Sequence, residues 1–400
     1  MSYYLGPGRQ SVHLSTLEEL TFAAEGGLLS ENQWCELKVQ LGPSNKAVNT
    51  ELARDLASLS IDGGVLIFGV VDKTYKLVGC DSTSLETRIS QVAATVIEPP
   101  LSPVFNPPIQ LPNGKSVIVI AIPPSAVAPH MADGRYWGRS SEGKRVLSDT
   151  EVRRIFQARV NQQELFAKSF EAFVEQDPLR NLVDGGETKN GHGFFFAKPQ
   201  GQLTLENFDT AELRAILARV RQRQSFEDLL KSCFNPAHDP NGVGLRSVYE
   251  AVSQRNEKNL RQITVRDDGS VSSTFAAASV LETMPGEEEV LYTFPGTTAL
   301  FLAQNLEILS LISEDFGYQG GWEIALRLTG LKGVIRYTSD FSYRPTPYPQ
   351  KAFSVQRVVQ PMSWVDNTDC LGDLTMSLLR GYLRGLGIER YTYENLMNGV

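Results

Sequence analysis

Four hundred residues, 42% hydrophobic and 21% charged, are the composition of an ordinary folded chain, and two domains are expected at that length. No apolar run reaches the roughly 20 residues that span a bilayer, and the opening Met-Ser-Tyr-Tyr-Leu-Gly-Pro-Gly-Arg has no secretory pattern. Four scattered cysteines (Cys35, Cys80, Cys233, Cys370) exclude a disulfide framework and a zinc knuckle and point to a reducing cytoplasm.

From Ser15 to Glu25 the pattern predicts a helix, with Ser15 as N-cap and Glu18 three residues on. Cys35 to Gln40 alternates like a strand, placing Glu36 and Lys38 on one face. Glu31 precedes that strand. An offset of five would set Glu31 and Glu36 on opposite faces of one regular strand, so they converge only if Glu31 lies on a separate bend. Ala47–Ser60 has helical periodicity. Val65–Val71 is an apolar run typical of a buried strand, and Leu85–Ile97 is an amphipathic helix ending before Pro99-Pro100. Asn113-Gly114 marks a hairpin into a buried strand at Ser116–Ile122. A Pro-rich loop (123–135), a short strand at Arg135–Arg139 and a helix at Asp149–Val160 capped by Ser148 or Asp149 follow. The boundary between domains is placed at 160, giving 1–160 and 161–400. The rear part predicts strands at Gly193–Lys198, Leu260–Arg266, Val290–Thr293 and Ile324–Leu328. Its predicted helices are Thr210–Cys233, Thr298–Glu314 and Leu371–Gly385. The fold class is α+β in both domains.

The net charge of −8 is unevenly spread. Residues 1–160 hold 15 of the 38 Lys and Arg and 16 of the 46 Asp and Glu, so the acidic excess lies behind residue 160. In the front part Arg135, Arg139, Lys144, Arg145, Arg153, Arg154 and Arg159 form a basic cluster able to meet phosphate. Arg135-Tyr136-Trp137-Gly138-Arg139-Ser-Ser mixes cations, aromatics and hydroxyls, as a nucleic-acid surface does. The competing reading is an edge strand with core aromatics, and Lys144-Arg145 just downstream favours the phosphate-tracking surface. Glu31, Glu36, Lys38 and Asp72 are candidates for chemistry: oxygen ligands suit Mg²⁺ or Mn²⁺, and a lysine can steady developing charge. The competing reading is a surface ion pair and a turn residue. Gly63-Gly64 precedes its strand, so it reads as a tight turn and not a phosphate cradle. Gly114-Lys115-Ser116 lacks the upstream glycine of a P-loop. His13, His130, His192 and His238 have no metal-ligand spacing and read as structural or surface residues.

From about Glu31 to Arg159 the chain resembles the Schlafen AlbA-like domain. The matching stretches are Glu31-Asn-Gln-Trp-Cys-Glu36-Leu-Lys38, Gly63-Gly64-Val-Leu-Ile-Phe-Gly69-Val-Val-Asp72, Val78-Gly79, Ile97-Glu-Pro-Pro, Val117-Ile-Val-Ile-Ala-Ile-Pro, Pro129-His130 and Tyr136-Trp-Gly-Arg139-Ser-Ser. The resemblance covers about a third of the chain. It implies a mixed sheet with flanking helices, followed here by a second α+β domain. It also implies a three-carboxylate, metal-dependent endoribonuclease site for structured RNA, tRNA in particular. The two glutamates fall on Glu31 and Glu36, the third acid on Asp72, and the family lysine on Lys38. Mg²⁺ or Mn²⁺ would sit on Glu31, Glu36 and Asp72. Arg135, Tyr136, Arg139, Lys144 and Arg145 would hold nucleic acid. The family's paired lobes imply a homo-oligomer. Where the family has Ala-Asn-Thr before its two glycines this chain has Leu59-Ser60-Ile61-Asp62, which makes Asp62 a rival third carboxylate.

Two further readings stand beside a cytoplasmic nuclease of defence or stress response. One is a non-catalytic DNA-binding regulator whose rear domain senses a signal. The other is a partner-binding protein with an acidic docking half. Many bacterial members of the family are treated as DNA-binding regulators. By analogy alone, the rear domain is an accessory sensor or partner-binding module.

Overall fold

The computed structural model describes residues 2–3, 5, 12–141, 143–201, 203, 205, 208–223, 229, 233–283, 289–318, 320–337, 346–359, 368–388 and 396. The chain divides into two compact units. Unit 1 holds residues 1–165, 200–202 and 312–321; unit 2 holds 166–199, 203–311 and 322–400.

Unit 1 begins with two short strands, β1 (Ser2–Tyr3) and β2 (Val12–His13), paired with each other. Helix α1 (Leu17–Glu25) starts one residue later than the sequence suggests. Thr16 caps it, and Glu19 reaches back to complete a capping box. Strand β3 (Cys35–Lys38) buries Cys35 and Leu37 and leaves Glu36 and Lys38 on its other face. Helix α2 (Lys46–Leu59) is capped by the Asn45 side chain, which accepts from the Val48 N–H at 2.9 Å. Strand β4 (Gly64–Phe68) lies parallel to β3, with Cys35 opposite Val65 and Lys38 opposite Phe68.

Helix α3 (Leu85–Thr95) stops before Ile97, because Ile97–Glu98 is strand β5 and pairs with β9 (Met131–Ala132). Strands β6 (Val104–Phe105) and β7 (Ile109–Gln110) both pair with β8 (Ser116–Ile122). The Asn113-Gly114 turn joins β7 to β8, with Gly114 at φ +80°. One sheet runs β3-β4-β8-β6, with β7 also on β8. A second runs β11-β10-β9-β5, where β10 is Arg135–Ser140 and β11 is Gly143–Val146.

Every residue of β8 is buried, and its alternate side chains enter two separate cores. Ile118, Ile120 and Ile122, with Leu66 and Phe68, pack against α2 and α3. Val117, Val119 and Ala121, with Val65 and Ile67, pack against Leu20 and Ala23 of α1 and against Leu37. A sheet covered on both faces needs apolar residues at consecutive positions, which explains the unbroken apolar run.

Helix α4 (Asp149–Gln176) joins the expected Asp149–Val160 helix to the Phe166–Glu175 stretch, whose pattern also reads as helical and breaks at Asp177-Pro178, and the division between units falls within it. Ser148 caps it: its hydroxyl accepts from the Glu151 N–H (3.4 Å), while the Glu151 carboxylate takes the Ser148 N–H (3.0 Å).

Unit 2 is built on a nine-stranded sheet. Its elements are β12 (Gly191–Pro199), α5 (Thr210–Arg223), β13 (Asn235–Asp239), β14 (Gly242–Arg246), β15 (Arg261–Arg266), β16 (Val271–Thr283) and β17 (Glu289–Thr293). They continue with α6 (Pro295–Asp315), β18 (Trp322–Leu328), β19 (Ile335–Arg336), β20 (Phe353–Val359) and α7 (Thr368–Gly385). The main order is β13-β14-β15-β16-β12-β18-β20, antiparallel throughout. Strand β17 pairs with β16 and, in parallel, with β19. The part of the expected Thr210–Cys233 helix at 224–228 and 230–232 lies outside the described residues. Phe166 and Phe170 of α4 pack on Phe194 and Phe196 of β12.

Candidate nucleic-acid site

Asn32 makes the bend that brings Glu31 and Glu36 together. Its side-chain oxygen accepts from the backbone N–H of Trp34 (2.7 Å) and Cys35 (3.0 Å), and its own N–H donates to the Cys35 carbonyl (3.1 Å). The chain therefore folds back on β3. The Glu31 carboxylate then accepts the Leu37 N–H at 3.1 Å, closing a donor on the sheet's edge strand.

Glu36 is fully engaged. Its Oε2 takes Nη2 of Arg139 at 2.6 Å and its Oε1 takes Nζ of Lys38 at 3.2 Å. Burial works against its ionisation, but the Arg139 hydrogen bond and the charges of Lys38 and Arg139 outweigh it and hold the carboxyl below its ordinary range. Glu31 goes the other way. Partial burial raises it first, the Glu36 charge raises it further, and Asp72 adds to that against the Leu37 hydrogen bond and Lys38. Asp72 follows β4, is exposed, and accepts the Lys73 N–H at 2.7 Å. Asp62, its rival, instead accepts Nε2 of Gln33 at 2.6 Å. The structure thus brings Glu31, Glu36, Lys38 and Asp72 into one electrostatic neighbourhood. Among the described residues, no group of three or more His, Cys, Asp or Glu side chains forms a ready metal cage.

The residues expected to hold nucleic acid divide. Arg139 is a correction: its side chain is only 1% exposed, so it cannot track a phosphate backbone. Its guanidinium also donates to the Asn32 carbonyl (Nη2, 3.2 Å), fixing the bend that carries Glu31. Tyr136 is half-buried and meets Phe156 edge-on at 6.1 Å, so it packs against α4. Arg145 pairs with Glu151 at 2.5 Å and is partly exposed. Arg135 is exposed. Lys144, on β11, pairs with Asp55 and Glu51, each at 2.5 Å.

Asp55 is the residue that sequence reasoning missed. It lies on α2 with its side chain fully buried, one oxygen on Lys144 and the other 2.8 Å from Lys38. The Lys38 contact is an ion pair off the line of a hydrogen bond. For Lys38 and Lys144 alike, burial disfavours the ammonium, but Asp55 leads the carboxylates that outweigh it, and both amines stay protonated well above neutrality. The signal was present: Glu51, Asp55 and Ser58 recur at i, i+4 and i+7 on a helix whose second half, Arg54 apart, is otherwise apolar and buried.

An α+β unit with a charged cluster at a sheet edge, walled by a second small sheet, defines this part of the molecule as a domain built around buried ion pairs. Residues 31–148, under a third of the chain, match the family model described as Schlafen, AlbA_2, and the match relates this region to nucleic-acid-related function. None of the curated proteins matches the chain. Among solved structures, the crystal structure of the DIP2311 protein from Corynebacterium diphtheriae aligns with 94% of this chain at 13% identity and a TM-score of 0.25, too low to carry an argument. The chain spans 63% of that protein's length. Among the described residues, no helix is long and apolar enough to cross a membrane.

Proposed function

We propose that unit 1 is a divalent-metal-dependent endoribonuclease of Schlafen type, a hydrolase that cuts structured RNA such as tRNA in phage defence or stress response. The observation that carries this reading is the Asn32 bend, which folds Glu31 back so that its carboxylate takes the Leu37 N–H next to Glu36; burial, then the Glu36 and Asp72 charges, raise that carboxyl. Like charges gathered in one place are a standing demand for a cation, and an all-oxygen donor set suits Mg²⁺ or Mn²⁺. Glu31 and Asp72 would hold the ion, and Glu36 would join them only by giving up Arg139 or Lys38. When bound, it polarises a phosphoryl oxygen and makes a water nucleophilic at neutral pH.

The chain's own groups prepare that chemistry. Arg139 holds Glu36 ionised and fixes the Asn32 bend, so two carboxylates are pre-oriented. Lys38 stays protonated and can meet the charge that develops on the phosphate. Arg135 lies on the surface of the neighbouring sheet for backbone contact. Unit 2 is, on this reading, an accessory sensor or partner-binding module.

The test is incubation of the full chain with tRNA and with single- and double-stranded DNA, in Mn²⁺, Mg²⁺ or EDTA. Glu31→Gln and Asp72→Asn suit it better than Glu36→Ala, which would strand the buried Arg139. Both variants should lose at least about a hundredfold in cleavage while unfolding within about 0.5 kcal/mol of wild type. Metal-independent cutting, or full activity in both variants, removes this site.

A second reading rests on the complete engagement of Glu36 by Arg139 and Lys38. There the ion pairs are structural, and the domain is a non-catalytic DNA-binding regulator. Intact substrates with sequence-selective, metal-independent duplex binding would establish it.

A further inference from the structure

We propose that Asp55 is a positioning residue that pairs the Lys38 and Lys144 ammoniums into one contact for the phosphates of a nucleic-acid chain. The proposal rests on the nucleic-acid reading of unit 1 and needs no cleavage. Lys38 comes from β3 of one sheet and Lys144 from β11 of the other, and Asp55 of α2 touches both, at 2.8 and 2.5 Å. The carboxylate is 0% exposed, whereas the lysine side chains are 23% and 21% exposed. The anchor is therefore closed to solvent, while about a fifth of each lysine side chain reaches it.

An ammonium has three donors. Lys38 hydrogen-bonds Glu36 and lies against Asp55, and Lys144 lies against Asp55 and Glu51, which leaves each ammonium at least one donor for an incoming oxygen. Two ammoniums held this close would separate without the carboxylate between them, since like charges repel strongly in a partly desolvated site. The ligand chemistry is a phosphodiester, whose two non-bridging oxygens can take one donor from each amine.

The sign of one substitution separates positioning from plain electrostatics. Asp55→Asn removes a negative charge beside a phosphate site, so through-space attraction alone would tighten binding. Loss of the pairing should weaken it. The measurement is the affinity of the full chain for a short RNA hairpin in EDTA across a salt series, for wild type, Asp55→Asn, Lys144→Met and the double variant. Asp55→Asn should bind at least fivefold more weakly, and Lys144→Met should lower the salt slope by about one. The double variant should be no weaker than the worse single one, because Asp55 acts through the lysines. Should Asp55→Asn fail to fold, Asp55→Glu replaces it, and its restored carboxylate should recover most of the affinity.

Unchanged or tighter binding by folded Asp55→Asn overturns the proposal, as do strictly additive losses. Wild-type RNA binding without cleavage would remove the nuclease and leave the paired lysines standing. Cleavage with an Asp55→Asn affinity equal to wild type would do the reverse.

Discussion

Arg139 shows how one side chain can change its meaning between sequence and structure. In the sequence it sits among arginines, an aromatic pair and two serines, the usual dress of a phosphate-binding surface. In the fold it is a buried cation with Glu36 on one side and the Asn32 carbonyl on the other. A buried pair that loses one partner leaves the other charge uncompensated. Arg139→Met should therefore cost about 3 kcal/mol in urea unfolding of the full chain. Arg139→Lys should recover only part of it, because one ammonium cannot reproduce a planar fork that bonds two acceptors. A loss within the scatter of ordinary surface substitutions would mean that Glu36 is held by Lys38 alone.

The elements that carry the site were the most legible part of the sequence. Ser116–Ile122 falls on β8, and the alternation at Cys35-Glu36-Leu37-Lys38 gives the faces of β3 correctly, because period-two patterning is strong where one face is buried. The bend at Glu31 was framed only as a condition, since an Asx turn shows itself in hydrogen bonds and not in spacing. Asp55 was legible only in part. Its spacing with Glu51 and Ser58 marks a polar stripe on the helix, but the stripe's purpose shows only when the two lysines that reach Asp55, one before it and one 89 positions after it, are placed. In unit 2 the longest strand, β16, was not expected. Its Val-Ser-Ser-Thr-Phe-Ala-Ala-Ala-Ser stretch is poor in branched residues and is stabilised by pairing along both edges.

The close approach of β3 to β4 also depends on an element-level detail. A Cβ at Gly64 would lie 2.5 Å from the Trp34 carbonyl oxygen and 2.8 Å from Leu59. The first neighbour is backbone and cannot turn away. Gly64→Ala should cost about 2 kcal/mol and, by pushing the Trp34–Glu36 segment outward, weaken RNA binding as well. Normal stability and affinity in that variant would show that the parallel pair can part without harm to the site.

At the scale of the whole molecule, pH should act through unit 2. His192 is 2% exposed, with Nδ1 on Asp177 (2.8 Å) and Nε2 on Glu257 (3.0 Å). Burial disfavours the imidazolium, but the two carboxylates outweigh it and lift the pKa from 6.5 to about 9. A base raised on folding adds stability that is complete below its unfolded pKa and is lost as pH climbs through the folded one. Unfolding free energy should then decline between about pH 6.5 and pH 9 by roughly 3 kcal/mol from this group. His192→Gln should be less stable at neutral pH and lack that decline. A wild-type curve flat across that window would show the histidine to be neutral in the fold.

Unit 1 is not one stretch of chain: residues 200–202 and 312–321 belong to it along with 1–165. Within it Tyr318 accepts the Gly201 N–H at 3.0 Å and donates to the Gly321 carbonyl at 2.7 Å. On the ribosome, therefore, the Tyr318 contacts of the front unit cannot form when its first 165 residues emerge. They must wait for roughly 150 more, a delay on the order of ten seconds at ordinary elongation rates. The charged cluster around Asp55 is encoded wholly in the early part, so nascent chains carry it before the segments that complete their unit have been made.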